Sequence, residues 1–82
     1  MASYNSRKLT TLAAFERFGG WLSPPMVARL TGFRPVRAIW SYLLRLNRWG
    51  LLYRRRGAGG LMHYRISAKG RERLVWLKQR VR

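Results

Sequence analysis

The chain has 82 residues, of which 48% are hydrophobic and 13% aromatic, so it is too apolar to be a disordered tail. A chain of this length is expected to form one domain, residues 1–82, with a simple core and no room for a separate effector-binding domain. Eighteen Lys and Arg residues against two acids give a net charge of +16, which predicts a polyanionic partner, nucleic acid first of all.

The inventory of reactive side chains disfavours catalysis. The sequence has no Cys or Asp, one His, and two Glu residues that lie far apart. Acid–base pairs and metal clusters need more such groups, so we expect a protein that is not an enzyme and has no metal, cofactor or evident small-molecule ligand. No apolar run is long enough to span a bilayer, and the N-terminus lacks the apolar stretch of a secretory signal. We therefore expect a cytoplasmic, nucleoid-associated protein.

Gly and Pro residues divide the chain into short elements. The first predicted helix covers about residues 6–18 and ends at Gly19, with Phe15 at the edge of its buried face. A very short extended segment at Trp21 and Leu22 follows. The predicted buried face of this helix consists of Leu9, Leu12, Ala13 and Glu16.

The second and third predicted helices are separated by a short turn that contains Gly32. The second begins after Ser23, which precedes Pro24 as an N-cap residue precedes the first helical position. The third covers about residues 35–49, with Pro35 in its first turn. Its buried stripe is predicted from helical spacing to be Val36, Ile39, Leu43 and Leu46.

The C-terminal third predicts a hairpin and a last helix. Two six-residue apolar and basic runs, 51–56 and 61–66, flank a Gly-rich tip at 57–60. Ser67 is then expected to cap a final helix. The predicted fold class is mainly α with a small β-hairpin (α+β), in the order helix, short strand, two helices, two hairpin strands, helix. The face of the last helix is predicted to contain Leu74, Leu77 and Val81.

Three stretches within residues 9–77 form a recognisable series. "PMVARLTGF" holds a helix and a turn, "IWSYLLRLNRWGLL" a helix running into a Gly-Leu step, and "YRISAKGRERL" a strand leading into a helix. In this order they resemble the winged helix-turn-helix domains of MarR-, PadR- and ArsR-type transcriptional regulators. The resemblance implies double-stranded DNA binding, with the third helix in the major groove and the hairpin as a wing on the phosphate backbone or in the minor groove.

The third predicted helix has a face made only of basic and hydroxyl side chains, opposite its apolar stripe. Arg reads guanine edges and Ser can approach any base, so Arg37 and Ser41, near the helix start, are expected to contact bases. Arg45 and Arg48 are expected to contact phosphates. A merely solvated face is the alternative, but it would normally mix Glu with Lys. The face consists of Arg34, Arg37, Ser41, Arg45 and Arg48.

Three consecutive arginines, Arg54, Arg55 and Arg56, lie next to the glycine tip in the predicted wing, about residues 53–64. Glycine permits a tight turn close to a phosphate, and the planar guanidinium binds phosphate oxygens in pairs. Strand alternation divides the three side chains between two faces, so two of them are expected to reach the same backbone. The alternative is an exposed hairpin kept basic to prevent edge pairing.

Trp40 and Leu44 lie one turn apart on the flank of the third helix, where the resembled domains usually carry polar residues. They either cover the hairpin or first helix, or form an exposed patch for a partner. Because one recognition helix covers about one DNA half-site, a homodimer on DNA is expected, through the first helix, the last helix, or the Trp40 and Leu44 flank. The remaining tryptophans considered are expected in the core or at its rim: Trp21, Trp49 and Trp76.

These observations favour a small transcriptional regulator that binds double-stranded DNA. One alternative is a sequence-neutral architectural or RNA-binding protein, since a charge of +16 attracts any polyanion. The other is a basic membrane- or protein-docking module that uses the last helix, residues 71–82. Its Leu74, Leu77 and Val81 are better used in a core.

Overall fold

The computed structural model describes residues 3–80, and their architecture is the predicted one: mainly helical, with a two-stranded antiparallel hairpin. The second and third helices form a helix-turn-helix and the hairpin precedes the last helix, which is a winged helix-turn-helix. Among these residues no helix has the length and apolar character needed to cross a membrane. The elements are α1 (Ser3–Phe18), α2 (Pro24–Thr31), α3 (Val36–Arg48), β1 (Leu52–Arg56), β2 (Met62–Ile66) and α4 (Ala68–Arg80).

The buried face of α1 is rotated from the predicted one. Phe15, expected at the edge, is fully buried, whereas Glu16, expected on the face, is exposed. Leu9 and Ala13 are only partly buried. The reason is tertiary: α1 packs against both α4 and α2, so its most buried line is set by two neighbours. That line has the spacing of a single helical face and consists of Lys8, Thr11, Leu12 and Phe15.

The turn between α2 and α3 is closed by Gly32. Its φ of 75° is left-handed, and its backbone N–H donates to the Ala28 carbonyl at 2.7 Å. At the other end of α2, Ser23 is the N-cap residue, as predicted, with extended backbone. Pro24 and Pro25 follow it. Because neither has a backbone N–H, no donor at these two positions is left without a hydrogen-bond partner.

The apolar stripe of α3 differs from the predicted one at its edge. The helix begins at Val36, with Pro35 as the N-cap residue, and Val36 itself is 45% exposed. Tyr42, absent from the predicted stripe, is buried. Its inclusion moves the centre of the buried face away from Val36 by part of a turn, which leaves that side chain at the margin. The other stripe residues are buried as predicted: Ile39, Leu43 and Leu46.

The hairpin forms a two-stranded sheet that an isolated bridge extends on the β2 side. β1 and β2 pair from Leu52 opposite Ile66 to Arg56 opposite Met62. On the other side of β2, Leu22 exchanges two backbone hydrogen bonds of 2.8 Å with Tyr64. The predicted extended segment between the first two helices therefore forms a single-residue strand that ties the hairpin to the start of the helix-turn-helix.

Ser67 joins the end of α3, the end of β2 and the start of α4. Its hydroxyl accepts from the Gly70 N–H at 3.0 Å, which confirms the predicted helix cap, and donates to the Gly50 carbonyl at 2.6 Å. Its backbone N–H donates to the Leu51 carbonyl at 3.0 Å. Further along α4, the predicted face is buried at Leu74 and Leu77, while Val81 lies outside the described residues.

We expect Gly70→Ala to destabilise the fold, because α4 approaches the chain at this point without a side chain between them. A Cβ at residue 70 would overlap the Leu51 carbonyl oxygen and lie 2.8 Å from Cγ1 of Ile66. The expected loss is about 1–3 kcal/mol of unfolding free energy, measured by urea denaturation. Gln79→Ala, on an exposed turn of the same helix, is the control and should change stability by less than about 0.5 kcal/mol. Equal stability of the two variants would contradict the close packing.

Candidate nucleic-acid interface

The basic face of α3, defined as Arg34, Arg37, Ser41, Arg45 and Arg48, is exposed at every position. Arg34, predicted on the helix, lies instead in the turn before it, because α3 begins at Val36 after Pro35. The opposite side of the helix is buried, so the backbone holds these side chains outward. Both acidic residues of the chain lie on other helices, Glu16 on α1 and Glu72 on α4. The face is therefore a strip of positive charge with no carboxylate of its own. Whether it contacts nucleic acid stays a prediction.

The turn before α3 receives a further cation from α1. The Arg7 guanidinium carbon lies 4.8 Å from the ring centroid of Phe33, which is partly buried next to Arg34. A guanidinium over an aromatic face is stabilised by the ring quadrupole and loses freedom to rotate. Arg7 could not be predicted as part of this surface, because its contact joins α1 to a turn far away in the sequence and no local sequence pattern indicates such a contact.

The wing arginines are all exposed, and the strand alternation divides them as predicted. Arg54 and Arg56 share the side of β1 that carries Leu52, while Arg55 lies on the other side, opposite His63. The Arg55 guanidinium carbon is 4.3 Å from the ring centroid of Trp21. Arg55 is thus held across the sheet by an aromatic ring, whereas Arg54 and Arg56 point together from the opposite side.

The wing tip is narrow because its residues are small. Gly59 and Gly60 have φ values of 70° and 78°, the left-handed conformation that glycine adopts without strain. The His63 ring packs directly on the backbone of Gly57, and its Nδ1 lies 3.1 Å from the Leu61 carbonyl oxygen. His63 is thus a hairpin side chain, in β2. Between residues 3 and 80 no cluster of His, Cys, Asp and Glu could hold a metal ion.

An apolar flank lies beside the basic face of α3. Trp40 is 40% exposed and Val36, one turn earlier, is 45% exposed, while Leu44 is half-buried. Of the two interpretations left open by the sequence, the exposed patch fits Trp40 better than a buried cover does. Trp49 and Trp76 are 39% and 40% exposed, so they lie outside the core.

An apolar groove of about 520 Å³ lies on the surface between α1 and Leu30 of α2. None of its lining residues belongs to the basic face of α3. Phe18 and Leu30 on its walls are each more than half exposed, and Leu9 and Ala13 form part of its floor. The sequence analysis did not identify it, because Leu9 and Ala13 were assigned to the core. The expectation that no small-molecule ligand is bound stays a prediction.

A second basic cluster lies beyond the end of α3. Lys8, Arg48, Lys69 and Arg73 line one cavity together with Trp49. Only Arg48 belonged to the predicted site. One signal could have identified the cluster: Lys8 lies on the α1 spacing of Leu12 and Phe15, so a cation falls on a buried face.

The sequence matches no protein-family profile and no curated protein. Among solved structures, the chain is similar to the organohalide-sensing transcriptional regulator RdhR in its 2,4-dichlorophenol-bound form, with a TM-score of 0.77 and 17% identity. The match covers 90% of this chain and 44% of that one. At this identity the likeness shows a shared fold, the winged helix-turn-helix, and does not assign the chain to the MarR, PadR or ArsR family.

Proposed function

We propose that the protein binds double-stranded DNA as a small transcriptional regulator. The observation that carries the proposal is the basic face of α3: three arginines and a serine, all exposed, on the second helix of a helix-turn-helix, with Arg34 exposed in the turn before it. This is the helix that enters the major groove in proteins of this architecture. The shared fold with a solved transcriptional regulator supports the same role.

Within this proposal the basic face of α3 has two tasks. Arg37 and Ser41, in the first half of the helix, read base edges, because a guanidinium pairs with guanine and a hydroxyl fits several bases. Arg34, Arg45 and Arg48 bind phosphates and fix the register on the duplex. The absence of a carboxylate on the face supports this division, since no residue there would repel the backbone.

The wing binds phosphates on the adjacent backbone. Arg54 and Arg56 share one side of β1, so a single strand of the duplex can be contacted by both. Arg55 stacks on Trp21, and this contact joins the part of β1 near the wing tip to the segment that leads into α2. The small tip, with glycine at three of its four positions 57–60, allows close approach to the sugar-phosphate backbone.

A sequence-neutral architectural or RNA-binding role is the second candidate. It is favoured by the spread of cations outside α3 and the wing, such as Arg7 on α1, Arg29 on α2 and Arg73 on α4. Selection of bound sequences from random duplex DNA separates the two candidates: an enriched motif supports regulation, and the lack of one supports neutral binding. Membrane docking through α4 is disfavoured, because Leu74 and Leu77 are buried in the core.

We expect duplex affinity to fall steeply with salt. About six to eight phosphate contacts would give a slope of about −5 to −7 in a plot of log affinity against log salt concentration, because each contact releases condensed counterions. Fluorescence anisotropy of a labelled duplex at several salt concentrations measures the slope. A value near −2 would mean that most of the surface arginines do not contact the backbone.

We expect Arg37→Ala to reduce selectivity, because this side chain is assigned to a base edge. Affinity for the selected site should fall by about 1–3 kcal/mol, with much less change for random DNA. Arg54→Ala combined with Arg56→Ala should instead weaken all duplexes alike and reduce the size of the salt slope by about one to two. Competition binding with selected and random duplexes measures both effects.

A double variant, Arg17→Ala with Arg29→Ala, removes the same charge as the wing variant from α1 and α2. It controls for general loss of attraction, and its salt slope should change less than that of the wing variant. If Arg37→Ala weakens random and selected DNA equally, α3 does not read sequence, and the neutral binder becomes the better account.

We expect two protomers on each selected site, because one recognition helix covers one half-site. The contact is assigned to the Trp40 flank of α3, so Trp40→Ala should reduce the stoichiometry to one protomer per duplex while the fold survives. Phe18→Ala is the matched control, since Phe18 is another exposed aromatic side chain, on α1. Light scattering of the complexes gives the stoichiometry. One wild-type protomer per site at saturation would contradict the dimer.

A further inference from the structure

A basic pocket of about 460 Å³ lies where α1, the end of α3 and the start of α4 meet. Its lining contains four cationic side chains and no carboxylate. Since the cations come from three helices, the pocket is a product of the fold and not of a local run of charge. The basic pocket is lined by Lys8, Arg48, Trp49, Leu51, Lys69 and Arg73.

Lys8 is the most unusual member of the basic pocket, because only 8% of it is exposed. Lysine is rarely buried to this extent. Its position follows from the backbone: Lys8 precedes Leu12 by one turn on the buried face of α1. Its ammonium nitrogen lies 4.6 Å from the ring centroid of Trp49, so the charge is held against an aromatic wall.

Lys69, another lining residue of the basic pocket, packs next to Gly50. It lies across Gly50, where a Cβ would come within 3.3 Å of the Lys69 Cδ atom and 3.6 Å of its ammonium nitrogen. Gly50 has a φ of 81° and ends the turn after α3. The lysine therefore packs over bare backbone at the pocket rim, and the conformation of this turn helps to set its position.

The electrostatics of the basic pocket favour an anion. Burial lowers the pKa of Lys8 below its ordinary value, and the positive charge of Arg73 lowers it further. Both effects oppose the charged form of Lys8. An anion between Lys8 and Arg73 would remove the repulsion and raise that pKa again.

We propose that the basic pocket binds a phosphate group. A phosphate dianion matches a cluster of four cations, and the two guanidinium groups of Arg48 and Arg73 can each donate paired hydrogen bonds to its oxygens. The group is supplied either by the backbone of a bound nucleic acid or by a free phosphorylated small molecule. Arg48 also belongs to the basic face of α3, which makes the first source a continuation of that face.

Inorganic phosphate tests the pocket without DNA, so the result is independent of the proposed function. Phosphate replaces chloride at constant ionic strength while the indole N–H resonance of Trp49 is followed by NMR. We expect a saturable shift of this resonance. Lys69→Gln combined with Arg73→Gln should weaken phosphate binding by about tenfold or more, as expected for the loss of charge-assisted hydrogen bonds.

Two further variants make the result specific. Arg29→Gln with Lys78→Gln removes one Arg and one Lys outside the basic pocket and should leave phosphate affinity within about twofold of the wild type. Lys8→Met keeps the buried aliphatic stem, removes the charge, and should also weaken phosphate binding. Thermal melting confirms that each variant is folded. A Trp49 resonance that does not shift saturably, or the same affinity in the pocket and control variants, would overturn the proposal.

Duplex DNA distinguishes the two sources. If the backbone supplies the phosphate, the duplex shifts the same Trp49 resonance and competes with inorganic phosphate. If a free phosphorylated molecule is the ligand, inorganic phosphate still shifts Trp49 in the presence of the duplex. Either result, together with loss of the shift in the pocket variants, supports a phosphate site.

Discussion

The arrangement of the helix-turn-helix and the wing depends on one junction, where the backbone after α3 meets the corner between β2 and α4. The carbonyl groups of Gly50 and Leu51 both accept hydrogen bonds from Ser67, and Gly70 packs on the Leu51 carbonyl without a side chain between them. A side-chain hydroxyl, a backbone amide and a missing Cβ thus determine how α3, the wing and α4 lie relative to one another. A further bond, from the Asn47 side chain to the Leu52 carbonyl at 2.8 Å, joins the last turn of α3 to β1.

With a net charge of +16 and only two acidic residues, most Lys and Arg side chains have no carboxylate to pair with. Several of them stack on aromatic rings instead. Within residues 3–80 one side-chain ion pair forms, between Glu16 and Arg71 at 3.2 Å, and both partners are about half exposed, so it contributes little to stability. More cations stack on aromatic rings than pair with carboxylates. The tryptophans in these contacts are partly exposed, and the arginines that stack on them lie at the surface. The cation–ring pairs are Arg7 with Phe33, Lys8 with Trp49, Arg55 with Trp21, and both Arg73 and Arg80 with Trp76.

The features predicted correctly from the sequence are those that depend on local chemistry. Gly32 ends a helix, Ser67 caps one, and the spacing of Ile39 and Leu43 sets the buried side of α3, hence also its exposed basic side. The glycine tip located the hairpin for the same reason.

The predictions that were wrong or incomplete concern residues whose burial is determined by a neighbouring element. Phe15 is buried and Glu16 exposed because α1 packs against two helices at once, and one helical projection cannot show both. Tyr42 displaces Val36 from the α3 stripe in the same way. The basic pocket was missed because its cations are separated by up to 65 positions, from Lys8 to Arg73, and only the folded backbone brings them together.

The single-residue strand at Leu22 has a consequence for how the surface responds to a partner. Because β2 is bonded on both edges, the hairpin cannot swing as a free arm; its base is continuous with the segment that leads into α2. In the structure this contact couples the position of the wing to that of the helix-turn-helix. Under the proposed function, a duplex that contacts both α3 and the wing would have to fit their spacing by bending or by a change of groove width, so the deformability of DNA between the contacts would enter the choice of site even where no side chain touches a base.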